Sequence, residues 1–181
     1  MKSWRLVTLL LAVAIVGGCA SSAVFMDYSL SGLWSNYRSW NWLPEPRAED
    51  IGPLAQNPAN RTSIEDAVDW AMKNRGLMRN EQTPDLLVAY YAGKTDSIQP
   101  GVWGYTYAPQ ANYKDQQGTP ETFKGGTLVI DLVDAKTKEL LWRGWSTGVV
   151  NAPNQDKTDN TIREVVKKIM AEYPPATGAP R

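Results

Sequence analysis

An α+β two-layer sandwich is the architecture this sequence predicts: a mainly antiparallel or mixed sheet of about five strands, covered by two amphipathic helices, in the order β-β-α-β-β-β-α. Two observations predict it. Apolar residues recur with helical period in just two segments, around 62–76 and 157–173, while short β-branched and aromatic runs bounded by Gly, Pro and Asp fill most of the rest. Two helices laid on one apolar sheet face close a single core, and a chain of this length can build one without disulfides.

The chain begins with a segment read as a leader. Lys2 and Arg5 precede the apolar run Leu6 to Val16, and Gly17 and Gly18 stand before Cys19, the one cysteine of the sequence. That is the pattern of a secretory signal over residues 1–18, and it falls short of the roughly 20 apolar residues of a lasting membrane span. Val16-Gly17-Gly18-Cys19 resembles a bacterial lipobox. The resemblance implies cleavage before Cys19, a diacylglyceryl thioether on its sulfur and an acyl group on the new amino terminus. Several chains hold a protein on a bilayer where one binds marginally, so the membrane is the first partner expected. Ala20 rather than Asp follows the cysteine, which by resemblance to enterobacterial sorting implies the outer membrane, with the domain facing the periplasm. Residues 19–23 are then a tether of about 3.5 Å per residue that keeps the fold close to lipid.

The single domain expected over 24–175 follows. Ala23 to Tyr28 reads as a strand, Ser29 to Ser35 as a loop, and Tyr37 to Leu43 as a second strand closed by Pro44 and Pro46. Glu45 to Asn60 reads as a loop. Thr62 with Glu65 makes a capping box, and Ile64, Ala67, Val68, Ala71 and Met72 form one helical face that ends at Gly76. Asp85 to Ala92 is the third strand. Lys94 to Lys124 is long for a connection. Thr127 to Val133 and Leu140 to Thr147 form a hairpin around the turn-prone Asp134 to Glu139, with Leu128, Ile130 and Leu132 on one face and Val129, Asp131 and Val133 on the other. Ile162, Val165, Val166, Ile169, Met170 and Tyr173 give the second helix its apolar stripe before Pro174 and Pro175 stop it. Residues 176–181 read as a flexible tail.

Four segments then carry a resemblance. VFMDYSLSGLWSNYRSWNWLP from Val24, DLLVAYYAG from Asp85, GTLVIDLVDAKTKELLWRGWSTGVV from Gly126 and IREVVKKIMAEYPP from Ile162 look like the bacterial lipoprotein family called domain of unknown function 4136. The run from Gly126 to Trp145 is the most specific. The resemblance implies an envelope lipoprotein with a small α+β domain, and implies no activity and no functional residues to carry over.

Composition narrows the chemistry. Loss of Lys2 and Arg5 with the leader leaves two more carboxylates than cations, and the cations are scattered among them, so no nucleic-acid footprint is present. Gly144-Trp145-Ser146-Thr147-Gly148 matches a hydrolase nucleophile elbow. The chain has no histidine, so a Ser-His-Asp triad is impossible. Zinc and copper lose their usual ligands for the same reason. The carboxylate pairs Asp66/Asp69, Asp131/Asp134 and Asp156/Asp159 match no calcium loop. The reading is therefore of no enzyme, no metal and no cofactor, with a histidine-free hydrolase as the alternative.

Asp131 and Arg143 interrupt apolar strands and are read as structural, a cross-strand ion pair if the hairpin register puts them on one face. Trp40, Trp42, Trp103, Tyr105 and Tyr107 alternate as extended segments do and form the candidate binding surface. Cell-wall glycan or peptide, an outer-membrane protein complex and the membrane interface are the partners such rings suit. Core filling is the competing reading of the same rings. The expected function is that of a lipid-anchored, non-catalytic binding or structural module.

Overall fold

The computed structural model describes residues 23–29, 33–44, 51–93, 126–147 and 155–174. The leader, Cys19, the 94–124 connection with Trp103, Tyr105 and Tyr107, and the 176–181 tail lie outside the described residues.

The fold is α+β, as the periodicities require. Strands β1 (Val24–Tyr28), β2 (Ser39–Trp42), β3 (Met78–Arg79), β4 (Leu86–Gly93), β5 (Thr127–Asp134) and β6 (Leu140–Ser146) join helices α1 (Pro58–Asn74) and α2 (Gln155–Ala171). They form one mixed sheet in the order β1-β6-β5-β4-β2-β3. Pairings from β1 through β4 are antiparallel, and β2 runs parallel to both β4 and β3. The sheet therefore has six strands where about five were expected. The extra one, β3, is a two-residue edge held only by β2, too short to leave a period in the sequence.

Helix α1 starts five residues earlier than the Thr62 capping box predicts. Asn57 caps it, its side-chain oxygen accepting from Ala59 N at 2.9 Å, and Pro58 occupies the first turn. An Asn-Pro pair supplies a cap and a preset φ together, and that outweighs a Thr-Glu pair one turn later. The predicted apolar face is nonetheless the buried one: Ile64, Ala67, Val68, Ala71 and Met72 all enter the core. So do Ile162, Val165, Val166, Ile169 and Met170 of α2. Each full burial of such a side chain contributes about 1.5–3 kcal/mol.

Both helices lie on one face of the sheet, over Leu86, Val88 and Tyr90 of β4 and Leu128, Ile130 and Leu132 of β5. Aromatic rings close the end of this layer. Trp34 stands edge-on to both Tyr28 and Tyr173, and Trp142 edge-on to Tyr173, with centroids 5.7–6.2 Å apart. The opposite face is buried as well, through Leu87, Ala89, Tyr91, Val129, Val133, Leu140 and Trp145. Strand β5 is thus enclosed on both sides from Thr127 to Val133, which explains its nearly continuous apolar sequence.

Candidate functional site

The cleft between the start of α1, the end of β2 and the middle of β4 combines an aromatic wall with opposite charges. Trp42 closes β2 on the helix side, half-buried, and meets Tyr90 of β4 edge-on at 5.6 Å. Tyr90 donates its hydroxyl to Glu65 Oε1 at 2.8 Å. Burial first, and the Glu65 carboxylate second, push the Tyr90 phenol well above its ordinary range, so it remains a donor. One turn before Glu65, Arg61 donates Nε to the Ala55 carbonyl at 3.3 Å. Arg61, Glu65, Trp42 and Tyr90, with Leu43, Ile51, Val88 and Ala89, line a cavity of about 180 Å³.

The candidate surface rings part company here. Trp40 is 2% exposed and belongs to the core, packed edge-on against Trp42 at 5.2 Å with the Arg79 guanidinium 5.9 Å from its ring centre. Its expected role as a surface ring is corrected. Alternation did put Trp40 and Trp42 on one face, but that face carries the helices, and only Trp42, at the strand end, reaches the rim. Trp103, Tyr105 and Tyr107 lie outside the described residues.

Asp131 and Arg143 lie on the sheet's other face, directly opposite in register. Arg143 Nε and Nη2 donate to Asp131 Oδ1 and Oδ2 at 2.7 and 2.6 Å. Their side chains are 2% and 0% exposed, so this is a buried pair. Asp27 of β1, itself buried, stands opposite Arg143 on the far side, a third charge the sequence reading passed over.

Ser146 is fully buried at the end of β6, and its hydroxyl donates to the Ala23 carbonyl at 2.9 Å. That is a strand position, whereas a nucleophile elbow presents its serine at an exposed strand-to-helix turn. Gly144 is small for packing: a Cβ there would fall 2.6 Å from Ile169 Cγ2. The carboxylates disperse. Asp66 pairs with Arg163 at 3.2 Å, Asp69 approaches Arg79 at 3.8 Å, and Asp134 caps the hairpin turn through Lys136 N and Thr137 N. Among the described residues, no group of three or more metal-ligating side chains converges, and no helix is long and apolar enough to cross a membrane.

The sequence reading missed Arg61, Glu65 and Tyr90 as site residues. Arg61 and Glu65 were legible as i, i+4 neighbours on α1, but their meeting with Tyr90 and Trp42 needs the packing of α1 on the sheet.

No curated protein matches this chain. Among solved structures it is similar to a PDZ domain protein from Parabacteroides distasonis, at 15% identity and a TM-score of 0.53, over 87% of this chain and 37% of that one. It thus spans little more than a third of that protein's length, and at this identity the likeness is one of fold. The PelC dodecamer from Paraburkholderia phytofirmans is similar at 9% identity and a TM-score of 0.49, over 83% of this chain and 95% of that one. A substituted variant of the same PelC in another crystal form gives 9% and 0.49, covering 83% and 96%. The family model described as domain of unknown function, DUF4136, matches residues 24–175. With most of its length matched by that model, the chain belongs to the DUF4136 family.

Proposed function

We propose that this chain is an envelope lipoprotein, anchored to the outer membrane through lipid on Cys19, whose periplasmic domain binds a cell-wall component in the α1–β2–β4 cleft and catalyses no reaction. The anchor rests on the leader: a basic start, an apolar run and Gly17-Gly18-Cys19. The binding role rests on one observation, the meeting of the Trp42–Tyr90 wall with Arg61 and Glu65 around one cavity. A concave, largely apolar site with a few convergent polar groups is where small ligands bind. Its volume of about 180 Å³ is comparable with the engineered cavity of about 150 Å³ that takes one benzene. It accepts one ring or one side chain of a polymer.

The test is retention of the full chain, solubilised from envelopes, on isolated peptidoglycan, with Trp42→Ala beside the wild type. Binding that Trp42→Ala abolishes supports the reading, and no binding by the wild type overturns it. For the anchor, Cys19→Ser is expected to leave the membrane fraction and to lose the acyl mass; a bare thiol on wild-type Cys19 sinks it.

A second reading, docking on an outer-membrane protein complex, draws on the outer face of the helices. Trp70 is 55% exposed there, with Lys167 Nζ 5.5 Å from its ring centre and the Asp66–Arg163 pair beside it. An exposed aromatic rimmed by charge suits a partner. Loss of co-purifying outer-membrane protein in Trp70→Ser, with peptidoglycan retention unchanged, would favour it.

A further inference from the structure

We infer that the α1–β2–β4 cleft selects a carboxylate-bearing sugar ring, Arg61 receiving the carboxylate and Glu65 a ring hydroxyl; this rests on the binding reading above and names its ligand class. Arg61 and Glu65 sit one turn apart on α1, the spacing at which opposite charges ordinarily pair. They do not pair here. Glu65 turns to the Tyr90 hydroxyl and Arg61 to the Ala55 carbonyl. Among the described residues, the two Nη atoms of Arg61 and Oε2 of Glu65 have no partner.

That arrangement leaves a donor fork and an acceptor on the lining of one cavity. The Ala55 carbonyl fixes Nε and with it the plane of the guanidinium, the geometry that grips a carboxylate by two parallel bonds. Arg61 also lies in the first turn of α1, where the helix dipole disfavours a cation and no acidic residue offsets it. The Glu65 carboxylate is turned to Tyr90, which leaves the two Nη groups of Arg61 as the site's charged donors. Glu65 Oε2, an acceptor only, asks for an O–H or N–H on the same ligand. The Trp42 and Tyr90 rings offer the flat apolar contact that the C–H face of a sugar ring matches. A pyranose with an acidic substituent supplies all three groups within the size of one ring. A peptide carboxyl terminus supplies the anion and an N–H, but no ring with a C–H face for Trp42 and Tyr90 to cover.

Calorimetric titration of the detergent-solubilised full chain with N-acetylmuramic acid and with N-acetylglucosamine tests this, because the two share a ring and differ by the carboxylate-bearing arm. The acidic sugar is expected to bind at least about ten-fold more tightly, the scale of one charge-assisted contact. Arg61→Gln is expected to make the two sugars equal, and Arg61→Lys to keep part of the preference, since a lysine restores charge without the fork. Circular dichroism establishes that each variant is folded, and the wild-type comparison decides the matter if Arg61→Gln is not. Equal affinities in the wild type, a preference that survives in folded Arg61→Gln, or tighter binding of an Ala-Ala dipeptide than of either sugar overturns the inference. If peptidoglycan is still retained in those cases, the binding reading stands without it; if neither polymer nor sugar binds, both fall.

Discussion

Arg143 grips Asp131 across the β5–β6 ladder with two parallel hydrogen bonds of 2.7 and 2.6 Å, inside a sheet face that is closed to solvent. Had that face been wet, such a pair would contribute at most about 1 kcal/mol. Buried, it makes each partner a liability without the other. Arg143→Met leaves Asp131 and Asp27 as enclosed carboxylates around an apolar side chain, and a loss of about 3–5 kcal/mol is expected. Asp131→Asn leaves Asp27 opposite the guanidinium, so the loss should be smaller. Urea midpoints followed by circular dichroism check the order; a milder Arg143→Met contradicts it.

Arg75 ties the ends of the two helices together. Its Nη1 donates to the Ala71 carbonyl at 3.1 Å, while Nε and Nη2 reach the carbonyls of Tyr173 and Met170. Those carbonyls belong to the last turns of α1 and α2 or just beyond, where backbone donors run short, and Met170 O also accepts from Tyr173 N at 3.2 Å. Arg75→Ala is expected to cost about 3 kcal/mol, and Arg75→Lys to recover less than half of it, since an ammonium cannot reach three acceptors in a plane. Thermal unfolding of the three proteins measures this.

Asp85 sets the register of the parallel β2–β4 pair. Its Oδ2 accepts from Arg38 N, Ser39 N and Ser39 Oγ at 2.8–2.9 Å. The Arg38 backbone donor first, then the Ser39 hydroxyl, hold its carboxyl below the usual range. A carboxyl depressed in the folded state stabilises fully above its unfolded pKa of about 3.9, and that contribution fades as pH falls below it. Asp85→Asn is expected to cost about 1–3 kcal/mol at pH 7 and progressively less below pH 4. Denaturation of both proteins at pH 7 and pH 3 checks the sign; a gap that widens in acid refutes it.

Gly144 is a packing residue. A Cβ there would fall 2.6 Å from Ile169 Cγ2 and 2.7 Å from Trp142 Cζ2, both in the core between β6 and α2. Gly144→Ala is expected to cost about 1–3 kcal/mol by overpacking. Ser146→Ala removes only the bond to the Ala23 carbonyl and should cost about 1 kcal/mol. Paired thermal melts decide between them.

The apolar stripe of each helix and the strands of the hairpin were legible in the chain by itself, whereas Asp131 and Arg143 share a face through a register shift between Leu132 and Val133 that no pattern announced. The stripes and strands are consequences of periods of 3.6 and 2, which are local. The Asn57-Pro58 cap was a local signal the reading passed over, but tertiary structure alone decided that Met78 and Arg79 add an edge to β2 and that the second sheet face is enclosed. It also decided that Trp40 lies inside while Trp42 reaches the rim, and that Arg61, Glu65 and Tyr90 converge there. The physical reason is range. Alternation says which residues share a side, but burial depends on what another part of the chain lays against that side, and no pattern within one strand records it.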